Sequence, residues 1–146
     1  MRLSSGRVAH PLKLPIAERY PVIDHVFDLA ADRGIPTFLV GGTVRDLLLG
    51  QDTHDLDFAV QGDGLALARH IADQLGGAYI ALDRERCTGR VLLGTQWHAA
   101  TLSDQPQRSP RALYLDIASL RGDDLETDLR GRDFTINAIV VAPAPD

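Results

Sequence analysis

The order of apolar and polar positions along the chain predicts alternating helices and strands. In residues 18–33, Val22, Val26 and Ala30 recur at helical spacing, and Gly34 follows them as a C-cap. The same criteria predict further helices at residues 43–49, 64–75 and 133–141. Short apolar runs bounded by turn residues predict strands at residues 37–40, 55–60, 79–82, 90–94, 97–102 and 113–120.

These elements predict an α+β fold, in which helices pack on a mixed, mainly antiparallel sheet of about five strands. Residues 97–102 are expected to form a hairpin with residues 90–94. A chain of 146 residues is large enough for one domain that buries roughly 70% of its unfolded surface. We expect residues 1–15 to form a loose N-terminal arm and residues 16–146 to form that domain.

Composition narrows the classes of function. The formal net charge of −5 provides no overall positive field for a nucleic-acid backbone, so any RNA contact must be local or made outside this chain. One cysteine, Cys87, excludes an internal disulfide, and no segment is apolar and long enough to span a membrane. The first residues also lack the apolar core of a signal peptide. We therefore expect a cytoplasmic protein with no membrane partner.

Two glycines follow the first predicted strand and precede a short helix. Gly41 and Gly42 would let backbone N–H groups approach a phosphate closely at this turn. A Gly-Gly pair after a strand is more often only a turn, and Arg45 with Asp46 is also compatible with an exposed helix turn. The pattern therefore indicates a phosphate site without establishing one.

Aspartates alternate with apolar residues in the strand at residues 55–60. Because residues two apart share a strand face, Asp55 and Asp57 should lie together, with Cα atoms roughly 6.5–7 Å apart. Two carboxylates at this spacing can hold a pair of magnesium ions about 3.5–4 Å apart. Asp116 alternates in the same way and becomes a third carboxylate if its strand, residues 113–120, is a neighbour. An exposed strand edge, or for Asp116 an ion pair with an arginine, explains the same residues.

A combination of motifs indicates a family. Residues 128–138, DLRGRDFTINA, resemble the Arg-Arg-Asp-Phe-Thr-x-Asn-Ala signature of class II tRNA nucleotidyltransferases, the CCA-adding enzymes, and of bacterial poly(A) polymerases. The resemblance extends, in order, over the segments VGGTVRDLLLG, DLD and LDIASLRGD. It covers residues 38–141, which is nearly all of the catalytic head domain of that family. This head belongs to the DNA polymerase β-like nucleotidyltransferase superfamily.

The resemblance implies a reaction and a set of site residues. An RNA 3′-hydroxyl, expected to be that of tRNA, would attack the α-phosphate of ATP or CTP, and pyrophosphate would leave. The implied catalytic residues are Asp55, Asp57 and Asp116. Asp55 and Asp57 would be the ligands of two Mg²⁺ ions, which Mn²⁺ can replace in vitro. The implied nucleotide-binding residues are Gly41, Gly42, Arg45, Arg132, Asp133 and Asn137.

Two features depart from the family pattern. Gly131 replaces the first arginine of the signature, which removes one cationic contact. The sequence also lacks the Glu-Asp-x-x-Arg motif of the family's neck domain, which reads the incoming base, and the body and tail domains that grip tRNA. We therefore expect binding of triphosphate and metal without choice between ATP and CTP, and RNA contact mainly through regions absent from this chain. An apolar face left by the neck would also allow a homodimer.

Two functions of different class are compatible with these residues. The first is a nucleotidyltransferase head, for which the sequence does not separate CCA, A-only, CC-only and poly(A) addition. The second is a nucleotide-binding or interaction module that retains the site without turnover. The intact Asp55, Asp57 and Asp116 favour the first function, whereas Gly131 and the missing base-reading region leave the second open.

Overall fold

The computed structural model describes residues 20–49, 51, 53–94, 97, 112–120 and 140–141. The helices in these residues are α1 (Val22–Asp32), α2 (Gly42–Leu48) and α3 (Gly64–Leu75). The strands are β1 (Thr37–Val40), β2 (Asp55–Val60), β3 (Ala78–Asp83), β4 (Thr88–Leu93), β5 (Leu113–Ser119) and β6 (Val140–Val141). None of the described helices is long and apolar enough to span a membrane. The predicted N-terminal arm lies outside the described residues.

All six described strands form one sheet in the order β3-β4-β5-β2-β1-β6. β2 and β5 are parallel, and the other four neighbouring pairs are antiparallel. The predicted α+β fold with a mixed, mainly antiparallel sheet is therefore confirmed. β2 and α3 also have the predicted bounds, residues 55–60 and 64–75.

The predicted helix at residues 133–141 is wrong at its end. Val140 and Val141 form β6, which pairs with Val40 and Leu39 of β1. Valine favours an extended backbone, and this pairing covers what would otherwise be the sheet edge at β1. The described sheet consequently has six strands rather than about five.

The predicted hairpin also has a different partner. β4 pairs with β3 across the turn at residues 84–87, and not with a strand at residues 97–102. Trp97 does not lie in a strand, and residues 98–102 are outside the described part of the chain. Pairing of consecutive strands closes a short loop, which costs little conformational entropy.

The hydrophobic core lies between the sheet and the helices α1 and α3. Phe27 of α1 packs edge-to-face on Phe58 of β2, with ring centroids 6.0 Å apart. Leu67 and Ile71 of α3 belong to the same cluster and are fully buried. Each such side chain contributes about 1.5–3 kcal/mol when it leaves water. These contacts identify the face of β2 that carries Phe58 as the inner face of the sheet.

The start of α3 is joined to the end of β5. Asp63 caps the helix, since its Oδ1 accepts a hydrogen bond from the Ala66 N–H at 3.1 Å. The Ser119 hydroxyl accepts from the Gly64 N–H at 3.0 Å and donates to the Gly62 carbonyl at 2.7 Å. These bonds bring the backbone of Gly64 directly against the neighbouring strands.

Replacing Gly64 with alanine should lower the free energy of unfolding by about 1–3 kcal/mol or more. A Cβ atom there would overlap the Cys87 carbonyl oxygen and lie 2.9 Å from the Ser119 nitrogen, and these backbone atoms cannot turn away. Urea unfolding followed by circular dichroism measures the change. Gly62→Ala is the matched control, because the nearest atoms to its Cβ atom would be side-chain atoms of Ile35, at 3.3 Å or more, and not backbone atoms. Equal stabilities of the two variants would contradict this account of the packing.

Candidate active site

Three neighbouring strands bring two carboxylates and one guanidinium into a row. In the parallel pair of β2 and β5, Asp57 lies opposite Asp116. In the antiparallel pair of β5 and β4, Asp116 lies opposite Arg90. Asp116 was expected to join the aspartate pair only if β2 and β5 are neighbours, and they are neighbours.

These side chains lie on the sheet face that is opposite to α1 and α3. Leu56 and Phe58 of β2 are fully buried, whereas Asp55 is exposed and Asp57 is half-buried. β5 alternates in the same way, with Asp116 half-buried. We call this surface the carboxylate face and define it by Asp55, Asp57, Arg90, Tyr114 and Asp116.

Arg90 binds Asp116 through two parallel hydrogen bonds. Its Nε donates to Oδ1 at 2.7 Å, and its Nη2 donates to Oδ2 at 3.0 Å. The hydrogen bonding to Asp116 is the largest cause that raises the pKa of Arg90 above its ordinary value, and the charge of Asp55 acts in the same direction. The guanidinium therefore stays charged wherever the protein is folded. The predicted alternative, an ion pair between Asp116 and an arginine, is present.

Sequence reasoning did not identify Arg90 as a site residue. The available signal is the alternation in β4, where Val91 and Leu93 are buried and Arg90 consequently lies on the opposite face. A half-buried arginine on a sheet face needs a carboxylate partner. That partner is 26 residues away in the chain, so its identity depends on the strand order.

Thr53, two residues before the start of the Asp-x-Asp strand, holds the backbone of Asp55. The Thr53 N–H donates a hydrogen bond to the Tyr20 hydroxyl at 2.8 Å. The Thr53 hydroxyl donates to the Asp55 carbonyl at 3.0 Å and accepts from the Asp55 N–H at 3.2 Å. Thr53 is buried, so water competes little for these bonds. They set the direction in which β2 enters the sheet.

The glycine turn lies between β1 and α2. Gly41 has a φ of +75°, a left-handed conformation that favours glycine. The Arg45 guanidinium folds back towards this turn, since a Cβ atom on Gly42 would lie 3.3 Å from its Nη2. The Arg45 Nε is 3.2 Å from Oδ1 of Asp46, in a partly exposed pair. The remaining predicted nucleotide-binding residues lie outside the described part of the chain: Arg132, Asp133 and Asn137.

A cleft of about 830 Å³ opens on the carboxylate face. Asp57 and Asp116 line the cleft on the sheet. Residues 85–88, in the turn after β3 and at the start of β4, line it on the side. Its volume lies within the range of roughly 300–1,000 Å³ that is usual for small-molecule sites. Val40, directly before the glycine turn, also lines it. The cleft therefore extends from the aspartates towards the turn, whereas the turn itself is not part of its lining.

The carboxylates on this face suit magnesium. Within the described residues, no three histidine, cysteine, aspartate or glutamate side chains are grouped closely enough to hold a metal by themselves. Proteins commonly hold Mg²⁺ through one or two carboxylates, together with waters and substrate phosphates. Asp55 and Asp57 are two carboxylates on one strand face. These residues therefore fit Mg²⁺ in company with a triphosphate.

Most of the chain matches one protein family. The family model described as Poly A polymerase head domain matches residues 37–146. A CC-adding tRNA nucleotidyltransferase of Geobacter sulfurreducens is 34% identical over 126 residues, which cover 86% of this chain and 26% of that protein. An A-adding tRNA nucleotidyltransferase of Deinococcus radiodurans is 41% identical over 103 residues, which cover 70% of this chain and 19% of that protein.

Solved structures share the fold of this chain. A tRNA-processing enzyme in its apo form I matches with a TM-score of 0.69 and 29% identity, over 91% of this chain and 31% of that chain. A tRNA nucleotidyltransferase complexed with a primer tRNA and an incoming ATP analog matches with a TM-score of 0.61 and 30% identity, over 80% of this chain and 30% of that chain. This chain thus spans between 19% and 31% of the length of these four relatives.

Replacing Thr53 with valine should lower the free energy of unfolding by about 1–2 kcal/mol, because the Asp55 backbone loses both hydrogen bonds to the hydroxyl. Thr53→Ser keeps the hydroxyl and is the matched control. Serine has less apolar surface to bury than valine, so lower stability of the valine variant isolates the contribution of the hydroxyl. Urea unfolding measures both variants. A valine variant that is as stable as the serine variant would show that the hydroxyl does not hold β2.

Proposed function

The chain belongs to the Poly A polymerase head-domain family, and on this premise we propose that it is the catalytic head of a template-independent RNA nucleotidyltransferase. The proposed reaction transfers AMP or CMP from ATP or CTP to an RNA 3′-hydroxyl. We propose tRNA as the RNA, because the two sequence relatives described above are tRNA nucleotidyltransferases. The observation that carries the proposal is the position of Asp55 and Asp57 on one strand face, with Asp116 beside them.

In this reaction the 3′-oxygen of the RNA attacks the α-phosphorus of the triphosphate. A bond forms between these two atoms, and the bond from the α-phosphorus to the bridging oxygen of pyrophosphate breaks. Pyrophosphate leaves with the electron pair of that bond, and the hydroxyl proton passes to solvent. When bound, two Mg²⁺ ions would lower the pKa of the attacking hydroxyl and neutralise charge on the triphosphate. The residues of the chain then contribute mainly positioning and electrostatic stabilisation.

The predicted site residues other than Asp116 have the following roles in this proposal. Asp55 and Asp57 would hold the metal ions, because both carboxylates lie on the carboxylate face. Gly41, Gly42 and Arg45 would bind the triphosphate, through backbone N–H groups and a guanidinium. We assign the sugar of the nucleotide to the residues that match the family signature, namely Arg132, Asp133 and Asn137.

Poly(A) synthesis is the second candidate, because the matching family model is that of the Poly A polymerase head domain. The same carboxylates and the same triphosphate site would serve it, since the two reactions differ in the RNA and in the order of added bases.

Homodimerization stays a prediction. The exposed side chains of Ile80 and Leu82, on the edge strand β3, provide apolar surface for it.

The proposal is tested by calorimetric titration of the 146-residue chain with ATP and CTP, with and without Mg²⁺. We expect Mg²⁺-dependent binding of both nucleotides by the native chain and its loss in the Asp55→Ala/Asp57→Ala variant. Transfer of labelled AMP or CMP to a tRNA without its terminal CCA should fall by about a hundredfold or more in this variant. Circular dichroism establishes that the variant is folded.

Asp73→Ala is the matched control for this titration. Asp73 is exposed on α3, which packs on the opposite face of the sheet. The control removes one carboxylate from the chain and should leave nucleotide binding and transfer unchanged. Mg²⁺-dependent nucleotide binding by the Asp55→Ala/Asp57→Ala variant would contradict the proposed site. Binding without any transfer by the native chain would favour a nucleotide-binding module.

A further inference from the structure

Asp116 lies between a carboxylate and a guanidinium on the carboxylate face. Asp57 is its neighbour on β2, and Arg90 is its neighbour on β4. A cation held by Asp57 would attract the same carboxylate oxygens that Arg90 binds. Asp116 can therefore bind a metal ion only at oxygens that also accept hydrogen bonds from Arg90, whose positive charge repels the ion.

Both carboxylate oxygens of Asp116 are already engaged. Arg90 donates one hydrogen bond to each of them, at 2.7 and 3.0 Å. Bidentate pairs of this kind are among the stronger hydrogen-bonded contacts, because both bonds are charge-assisted and the two groups are planar. The side chains of Arg90 and Asp116 are 31% and 21% exposed, so water and salt screen the pair less than at an open surface. A metal ion bound to the same oxygens would weaken this contact, because it repels the Arg90 guanidinium.

Arg90 is also held from its own side. Its Cζ atom lies 5.1 Å from the ring centroid of Tyr114, within the range of a cation–π contact. The neighbouring residues Gly89 and Val91 are buried, which fixes the backbone of β4 at this point. The guanidinium is therefore preorganised towards Asp116.

The charges of the side chains that define the carboxylate face indicate how the pair of Arg90 and Asp116 affects the binding of a cation. Asp55, Asp57 and Asp116 together with Arg90 amount to two net negative charges. Without Arg90, these side chains would together carry one more net negative charge, and Asp116 would lose the hydrogen bonds to both of its oxygens. Arg90 thus weakens the attraction of the face for a divalent cation and occupies the group that would be its third ligand.

We propose that Arg90 is a positioning residue that withholds Asp116 from the metal ions and leaves Asp55 and Asp57 as the carboxylate ligands. This inference rests on the proposed function. Metal binding without nucleotide is then weak, and triphosphate oxygens complete the coordination. Because coupling between two ligands is reciprocal, metal and triphosphate each strengthen the binding of the other.

The test is calorimetric titration of the 146-residue chain with MnCl₂, in the absence of nucleotide and RNA. Arg90→Gln should bind Mn²⁺ on the order of tenfold more tightly than the native chain, because one positive charge is lost and Asp116 is released. Arg90→Gln/Asp116→Asn should bind with native affinity, since the pair is removed as a whole. Arg90→Lys keeps the positive charge and should remain close to the native chain.

Arg86→Gln is the matched control. Arg86 lines the cleft that Asp57 and Asp116 also line. Its guanidinium is exposed, and its Nε lies 3.9 Å from Oδ2 of Asp83 rather than at Asp116. Loss of its charge should change the Mn²⁺ affinity by less than about twofold, because exposed charges are well screened. A gain in affinity equal to that of Arg90→Gln would contradict a specific role for Arg90.

Unchanged or weaker Mn²⁺ binding by Arg90→Gln overturns the inference. Weaker binding by Arg90→Gln/Asp116→Asn also overturns it, because Asp116 would then be a ligand in the native chain. If Arg90→Gln does not fold, the double variant decides, since it leaves neither charge unpaired. Failure of the proposed function is distinguishable: native Mn²⁺ affinity in Asp55→Ala/Asp57→Ala would contradict the metal site itself, whereas the outcomes above concern Arg90 alone.

Discussion

The parallel register of β2 and β5 is the constraint on which both the core and the candidate site depend. Leu115 and Ile117 are buried on the helix side of the sheet, and Asp116 between them faces the other side. A shift of β5 by one residue along β2 would move Leu115 and Ile117 to the opposite face of the sheet and turn Asp116 into the core. An ionised carboxylate buried without a partner costs far more than a lost apolar contact. The hydrophobic core therefore fixes the face of the sheet on which Asp116 lies, which is also the face of Asp57, independently of any contact with a ligand.

Elements that depend on nearby residues were predictable from the sequence. β2 follows from strict alternation, and α3 follows from its apolar stripe, with Asp63 capping its start and Gly76 ending it at a φ of +71°. Strand pairing depends on residues that are distant in the chain. Val140 and Val141 are compatible with a helix when only their neighbours are considered, and their strand conformation requires β1 as a partner.

The candidate site likewise contains residues that could be placed from one strand alone and residues whose placement requires strand pairing. Alternation alone places Asp55 and Asp57 on one face, because this needs only the geometry of a single strand. The position of Asp116 requires the strand order, which the periodicity does not give; the family resemblance implied only that Asp116 is a catalytic residue. Arg90 required the antiparallel pairing of β4 and β5 as well. A general rule, that a half-buried charge needs a partner, predicted an arginine at Asp116 but could not indicate which one.

Neutralisation by an arginine differs physically from neutralisation by a proton. The contact with Asp116 raises the pKa of Arg90, so its charge does not change over the pH range in which nucleotides and metals bind. A competing cation has to act against this permanent positive charge. Without Arg90, the carboxylates of this face would attract a divalent cation more strongly, whether or not a substrate were present. In the proposed function, the contact of Arg90 with Asp116 would make metal occupancy depend on the arrival of the triphosphate, so that the metal ions would enter the site together with the group on which they act.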